Sequence, residues 1–286
     1  MNFTKMQGAA NDFALIEAGN MQRNWSKLAI TMCDRHLGIG ADSVLLVLPT
    51  NTADFRMRTF DADGSEAEAC GNGIRCVAKY VLEKGLIDGD ARQISIETAA
   101  GVRAIKYLRH GGKVSLIEAG MGNPGFKPAE IPTTLKAGMD GVTSIESMLC
   151  YTVNVDMTEL MLNMVSMGNP HAVHFQEHPV ASFPLAELGP LVENLDIFPN
   201  RVNFEVARVL NDKQIEARVW ERGVGETLAC GSGACAIAAA AHLYGYTGKK
   251  VDIILRGGVL KVEWNGNGEL LLGGPAETVF TGEWPD

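Results

Sequence analysis

The sequence has little with which to hold a polyanion. Its 25 Lys and Arg are outnumbered by 34 Asp and Glu, for a formal net charge of −9, and no basic run exceeds the pair Lys249-Lys250. A phosphate-tracking surface needs clustered cations, so nucleic acid is not an expected partner. Long apolar runs are also missing: the strongly apolar stretch Cys235–Ala241 falls far short of the ~20 residues that span a bilayer. The opening residues Met1–Gly8 are polar where an export signal carries its apolar segment, so no membrane partner and a cytoplasmic setting are expected. None of the six cysteines (33, 70, 76, 150, 230, 235) forms a Cys-x-x-Cys, which argues against a redox dithiol. The spacings Cys70-x5-Cys76 and Cys230-x4-Cys235 do not suit zinc either, and no metal is expected.

What remains is an ordinary globular composition, 46% apolar and 21% charged over 286 residues, enough for two domains with separate cores. Shifting the chain by 160 residues aligns Arg58–Ile74 with Arg218–Ala234 without a gap. Arg58/Arg218, Glu66/Glu226, Ala69/Ala229, Cys70/Cys230, Gly71/Gly231 and Gly73/Gly233 are identical, and Phe60/Trp220 and Asp61/Glu221 are chemically similar. A period this long is not a solenoid repeat. It reads as duplication of a domain, each copy supplying half of a site.

Each copy has the same order. Apolar or alternating strand runs come first: Phe13–Ile16, Val44–Val47 and Phe55–Phe60, then Ala172–Phe175, Val202–Val206 and Ile215–Trp220. A turn and Cys-Gly-x-Gly follow, and then a helix. In the first copy Ile74, Val77, Ala78, Val81 and Leu82 fall at helical spacing before Gly85. The second, Ala234–Tyr244 before Gly245, is apolar on nearly every face and is expected to be buried all round. Ile94–Glu97, Val251–Leu255, Val259–Trp264 and Glu269–Leu272 are expected to complete the sheets. The expected fold is α+β: two pseudo-symmetric domains, each a mixed sheet or barrel around a central helix. The Gly- and Pro-rich segment Gly120–Gly125 marks the expected boundary.

A cysteine at a helix start followed by Gly-x-Gly combines two properties. The first-turn N–H groups form an anion site that glycine lets a carboxylate approach. The same end of the helix is expected to lower the thiol pKa toward neutrality. Two such ends around one carboxylate would set a thiol on each face of its α-carbon, one to remove a proton and one to return it. A single cysteine of this kind reads equally as a core residue; two at matched positions favour chemistry.

The segments Met6–Phe13, Cys33–Asp42, Asp61–Glu66, Ala69–Cys76, Met167–His171, Arg201–Phe204 and Glu221–Ala234 together resemble the diaminopimelate epimerase family, along nearly the whole chain. The resemblance implies a cofactor-independent isomerase that interconverts LL- and meso-2,6-diaminopimelate, a small amino-acid substrate on the route to lysine and peptidoglycan. It implies a homodimer, and domains spanning 1–118 with 276–286, and 119–275. Carried over by position, Cys70 and Cys230 are the acid/base thiols, and Gly71, Asn72, Gly231 and Ser232 hold the reacting carboxylate. Asn11, Asn169 and Asn203 contact substrate, Glu221 and Arg222 bind its distal ammonium and carboxylate, and His171, with Glu221, tunes a thiol. Two positions depart from the family. Ser43 stands where an amide is often found, at a variable substrate-side position, and Asp61 replaces an Asn that contacts the distal carboxylate. An ionised Asp only accepts hydrogen bonds, so Asp61 leaves open a racemase of another amino acid, such as histidine. A binding module without chemistry is the alternative from outside enzymology.

Overall fold

The structure is a computed structural model that describes residues 1–67, 70–87, 93–110 and 113–285; Ala69, one of the six repeat identities, lies outside them. It comprises two units, Met1–Gly120 with Gly273–Asp286, and Met121–Leu272. The first unit contains β1 (Asn2–Gly8), β2 (Asn11–Glu17), α1 (Trp25–Cys33), β3 (Ser43–Leu48), β4 (Phe55–Asp61), β5 (Glu66–Ala67), α2 (Gly71–Glu83), β6 (Gln93–Thr98), β7 (Gly101–His110) and β8 (Lys113–Gly120). The second contains β9 (Val142–Ile145), β10 (Met148–Val155), β11 (Thr158–Ser166), β12 (Pro170–Phe175), α3 (Leu185–Glu193), β13 (Asn203–Asn211), β14 (Gln214–Glu221), β15 (Gly225–Thr227), α4 (Gly231–Leu243), β16 (Lys250–Leu255) and β17 (Gly258–Glu263). The chain returns through β18 (Leu271–Gly274), and β19 (Glu277–Glu283) pairs antiparallel with β1.

The duplication extends to the strand pairings. In the first unit β1 pairs antiparallel with β2, β2 parallel with β3, β3 antiparallel with β4, β4 parallel with β6, and β6 antiparallel with β7. In the second unit β11, β12, β13, β14, β16 and β17 repeat that series with the same directions. The mixed sheets and the helices that follow the two Cys-Gly-x-Gly segments are those read from the sequence.

Alternation along β2 and β3 explains why these strands read as unbroken apolar runs. Phe13, Leu15, Leu45 and Val47 enter one core with Val77, Val81 and Leu82 of α2, whereas Ala14, Ile16, Val44 and Leu46 enter another with Trp25, Ala29 and Met32 of α1. A strand buried on both faces has no polar phase. In the second unit Phe204 and Val206 join Leu185, Leu188 and Val192 of α3. α4 is buried from Gly233 to Ala241, as its all-round apolar sequence requires. Both central helices stop where predicted, at Gly85 (φ +66°) and Gly245 (φ +73°), a left-handed conformation that glycine adopts without strain.

Two helices lie outside the sequence reading. α1 buries Trp25, Ala29, Met32 and Cys33 at helical spacing behind an Asn24 cap, but spans only nine residues. α3 contains Gly189-Pro190, a pair that reads as a break. Gly189 is needed because a Cβ there would lie 2.6 Å from Cδ2 of Trp220.

The repeated Arg and Glu form the same bidentate fork in both units. Arg58 reaches Glu66 at 2.7 and 2.8 Å, and Arg218 reaches Glu226 at 2.8 and 2.9 Å, each clamping a short strand to its neighbour. Arg218 also donates to the carbonyls of Val180 and Phe183, at 3.0 and 2.8 Å, and is the less exposed of the two. Arg218→Ala is expected to cost about 2–3 kcal/mol, because it strands partly buried acceptors. Arg58→Ala is expected to cost less than about 1 kcal/mol. Urea denaturation of both variants checks this, and equal losses would contradict it.

Candidate active site

Each central helix begins on a thiol. Cys70 has extended backbone (φ −137°, ψ 109°) and its sulfur accepts the Gly73 N–H at 3.3 Å; Cys230 (φ −125°, ψ 118°) accepts the Gly233 N–H at 3.4 Å. Both occupy the capping position, normally held by Ser, Thr, Asp or Asn. The glycines permit this closeness: a Cβ at Gly73 would meet the Cys70 sulfur at 3.4 Å and Cδ2 of Leu45 at 3.0 Å, and one at Gly233 would lie 2.9 Å from Oε1 of Glu205. Gly71-Asn72 and Gly231-Ser232 form the first turns, whose N–H groups have no acceptor within the helix.

In the first unit the structure gathers Asn11, Cys70 and Asn72. Oδ1 of Asn11 accepts from the Cys70 thiol at 3.7 Å and from Nδ2 of Asn72 at 3.3 Å. The Asn11 amide is oriented by Asp42, which takes its Nδ2 at 2.6 Å and is itself tied by Arg35 to Asp12. Arg75, fully buried, donates to the Gly71 carbonyl at 3.0 Å and to Oδ1 of Asn72 at 2.7 Å, so a cation lies under the helix start. Ser43 and Asp61 form a separate pair, with the hydroxyl donating to Oδ1 of Asp61 at 2.8 Å. Burial, ahead of the opposing Ser43 hydrogen bond, holds the Asp61 carboxyl above its ordinary range; Asp63 and Asp42 push the same way.

The second unit gathers Asn169, His171, Cys230 and Ser232. Nδ2 of Asn169 donates to Oγ of Ser232 at 3.3 Å, and that oxygen lies 3.5 Å from the Cys230 sulfur. Oδ1 of Asn169 meets Nε2 of His171 at 3.0 Å, and Nδ1 of His171 meets Glu205 at 2.7 Å. Asn203 spends its amide on the backbone: Nδ2 donates to the Pro170 carbonyl and Oδ1 accepts the Arg222 N–H, both at 2.9 Å. It thereby sets the start of the turn that carries Arg222, whose guanidinium donates to the Asn200 carbonyl at 2.9 Å. Glu193, largely buried, holds the far side of that turn through the Gly223 N–H at 2.8 Å. Glu221 accepts from the Thr227 hydroxyl.

Sequence reasoning missed Asp42, Arg75, Glu193 and Glu205. For Arg75 a signal existed, a charged residue on the buried side of an otherwise apolar helix. The expected direction of the thiol pKa values is corrected. Burial pushes Cys70 up to about 11 against the lowering effects of the Gly73 N–H and Arg75. It pushes Cys230 well above the ordinary thiol range, with Glu221 adding to the rise and Ser232 opposing it. The helix end does favour the thiolate, but losing water costs more.

Comparison with known proteins adds relatives to this geometry. The family profile described as "Diaminopimelate epimerase" matches residues 3–127 and 163–279. A protein of that name from Pelotomaculum thermopropionicum is 44% identical over 288 residues, covering 100% of this chain and 99% of its own. One from Methanococcus maripaludis is 43% identical over 288 residues, covering 99% of each. Among solved structures, a phenazine biosynthesis protein of the PhzF family from Bacillus anthracis superposes with a TM-score of 0.71 at 17% identity, covering 100% and 99% of the two chains. A hydroxyproline epimerase from Agrobacterium vitis, with trans-4-hydroxy-L-proline bound, gives 0.69 at 16%, covering 99% and 91%. These two likenesses concern the fold.

The thiols differ in a way that alkylation reads directly. Below its pKa a thiol reacts in proportion to its thiolate fraction, which rises about tenfold per pH unit. Iodoacetamide modification of Cys70 in the substrate-free protein is therefore expected to climb steadily from pH 7 to pH 10, with Cys230 slower throughout. A plateau near pH 8 at either residue would refute the burial argument.

Proposed function

The chain belongs to the diaminopimelate epimerase family, and from that premise we propose that it interconverts LL- and meso-2,6-diaminopimelate by two-base proton transfer at Cα, with Cys70 and Cys230 as the bases. The observation that carries this reading is the duplicated thiol cap: two sulfurs, each on the first turn of a central helix and each beside N–H groups suited to a carboxylate. A thiolate on one face takes the Cα proton and becomes a thiol, while the thiol on the other face gives its proton to the carbanion and becomes the thiolate. The roles are then exchanged, which readies the site for the reverse reaction; proton exchange with water returns it to the first state. Gly71, Asn72, Gly231 and Ser232 bind the reacting carboxylate, and that negative charge is spread further as the carbanion forms.

Substrate recognition follows the same reading. Asn11 and Asn169 contact the reacting amino acid, Asn203 holds Arg222 in place, and Glu221 and Arg222 take the distal ammonium and carboxylate. Arg222 keeps donors beyond those used on Asn200, suited to a bidentate carboxylate pair. Ser43 holds the Asp61 carboxyl through its hydroxyl. The protein works without cofactor or metal, as a homodimer in the cytoplasm.

Each of Cys70→Ala and Cys230→Ala is expected to abolish epimerisation, because each face of Cα is served by one base. Incubation with LL- or meso-diaminopimelate in D2O measures this: the wild type incorporates deuterium at Cα with inversion. An alanine variant retaining more than a few per cent of that turnover would refute the assignment.

Asp61→Asn tests the distal pocket. The asparagine oxygen can accept the same Ser43 hydrogen bond, and its NH2 adds a donor toward a carboxylate. With diaminopimelate, kcat/KM is expected to stay equal or rise. A fall of more than about tenfold, the size of a lost charged hydrogen bond, would mean that Asp61 holds a cationic group instead.

A further inference from the structure

Matching the two units by strand register shows a substitution that the fold does not require. Phe13 pairs with Ser43 and Leu15 with Leu45 across β2 and β3; His171 pairs with Asn203 and Val173 with Glu205 across β12 and β13. His171 and Glu205 thus stand where the first unit has Phe13 and Leu45, and all four side chains are fully buried. The equivalence is close, since the glycine of the helix above rests on Leu45 in one unit and on Glu205 in the other. Oε2 of Glu205 is buried without a hydrogen-bond partner. An apolar pair satisfies this place in the first unit, so the second carries a buried carboxyl and imidazole at a cost in stability.

With the Asn169 amide placed as it is and a neutral imidazole, the hydrogen bonds between Glu205 and the thiol run in one direction. Nδ2 of Asn169 donates to Ser232, so its Oδ1 must accept, and Nε2 of His171 must carry the proton between them. Nδ1 of a neutral imidazole is then an acceptor, and its contact with Glu205 requires the carboxyl to be the donor. At the other end, Ser232 accepts from Asn169, which leaves its own O–H able to donate to the Cys230 sulfur 3.5 Å away.

We propose that Glu205 is a positioning residue: as a neutral acid it donates to His171, so that the chain Glu205–His171–Asn169–Ser232 is polarised toward Cys230 and stabilises its thiolate. This rests on the reading of Cys230 as one of the two bases. The chain passes no proton along; the thiolate takes the Cα proton and keeps it as a thiol, while the donors upstream hold their places. Aligned hydrogen bonds polarise one another, which matters most at a sulfur facing Glu221 from β14 and Glu205 from β13. Burial holds the Glu205 carboxyl above its usual range, and Glu221 adds to that, while His171 opposes it. The partnerless Oε2 fits a neutral carboxyl better than a carboxylate, whose second oxygen would retain charge without a donor.

Nitrogen-15 NMR of the wild-type imidazoles, with His171 assigned through His171→Gln, is the first test. The expected result at pH 7 is a neutral ring protonated at Nε2; a ring protonated at Nδ1, or doubly protonated, overturns the proposal. The second is peptide-resolved iodoacetamide alkylation at pH 9. Glu205→Leu is expected to slow Cys230 about tenfold, equivalent to one unit of pKa, with Cys70 unchanged. Glu205→Gln, whose NH2 donates to Nδ1 in place of the acid, is expected to restore the rate to within about twofold of wild type. Equal slowing by Leu and Gln, or a Cys230 rate that neither moves, overturns it. If the leucine variant does not fold, Asn169→Leu breaks the same chain nearer the thiol and is expected to slow Cys230 alone. Neither measurement uses a substrate, so a protein that failed the deuterium assay while passing both would disprove the epimerase reading and leave the chain intact.

Discussion

A helix needs something to accept its first free N–H groups, and in both units the acceptor is a thiol. Sulfur is a weaker acceptor than a hydroxyl or carboxylate oxygen, so these helices begin with less capping stabilisation than serine or aspartate would supply. The positions of the glycines, the approach of Leu45 and Glu205 to the first turn, and the Asn11 and Ser232 contacts all answer to that placement. Moving the sulfur off the cap would leave the N–H groups and the thiol pointing to different places, and a carboxylate bound by one would no longer bring its α-carbon to the other.

One frame, used twice, carries two different electrostatic settings. The first sulfur has a buried guanidinium under its helix, and the second has two glutamates facing it. Two-base chemistry calls for a thiolate and a thiol at once, and unequal surroundings make the two sulfurs ionise unequally. Both sulfurs are pushed upward by burial, which disfavours the thiolate in the substrate-free protein. A thiol held protonated in this way reacts slowly with oxidants and alkylating agents, which require the thiolate.

Much of this was legible in the sequence because duplication left its chemistry in register. The matched Cys-Gly-x-Gly segments pointed to the two helix starts, and periodicity placed the strands on either side of them. Three things were not legible. The short helix α1 and the Gly-Pro-containing α3 owe their form to what they cover: α3 accepts Gly189 because the Trp220 ring lies against it. The direction of the thiol pKa values depends on exclusion of water, which no local motif records. Glu205 sits in Val202–Val206, where a lone acid in a strand suggests an exposed face; only the register with β12 turns it inward, opposite Val173 and beside His171.

The pairing of β19 with β1 has a consequence for how the chain matures. The second unit is one continuous stretch, whereas the first is completed by residues some 150 positions beyond its bulk, with the Met1 ammonium donating to the Trp284 carbonyl at 2.6 Å. During synthesis the second unit has all its strands while β1 is still an open edge, exposed to any other strand that meets it. Assembly therefore finishes at the end made first. The half that carries Cys70 takes its final form only after the half that carries Cys230 has left the ribosome, so a truncated product keeps its later thiol framed and its earlier one unfinished.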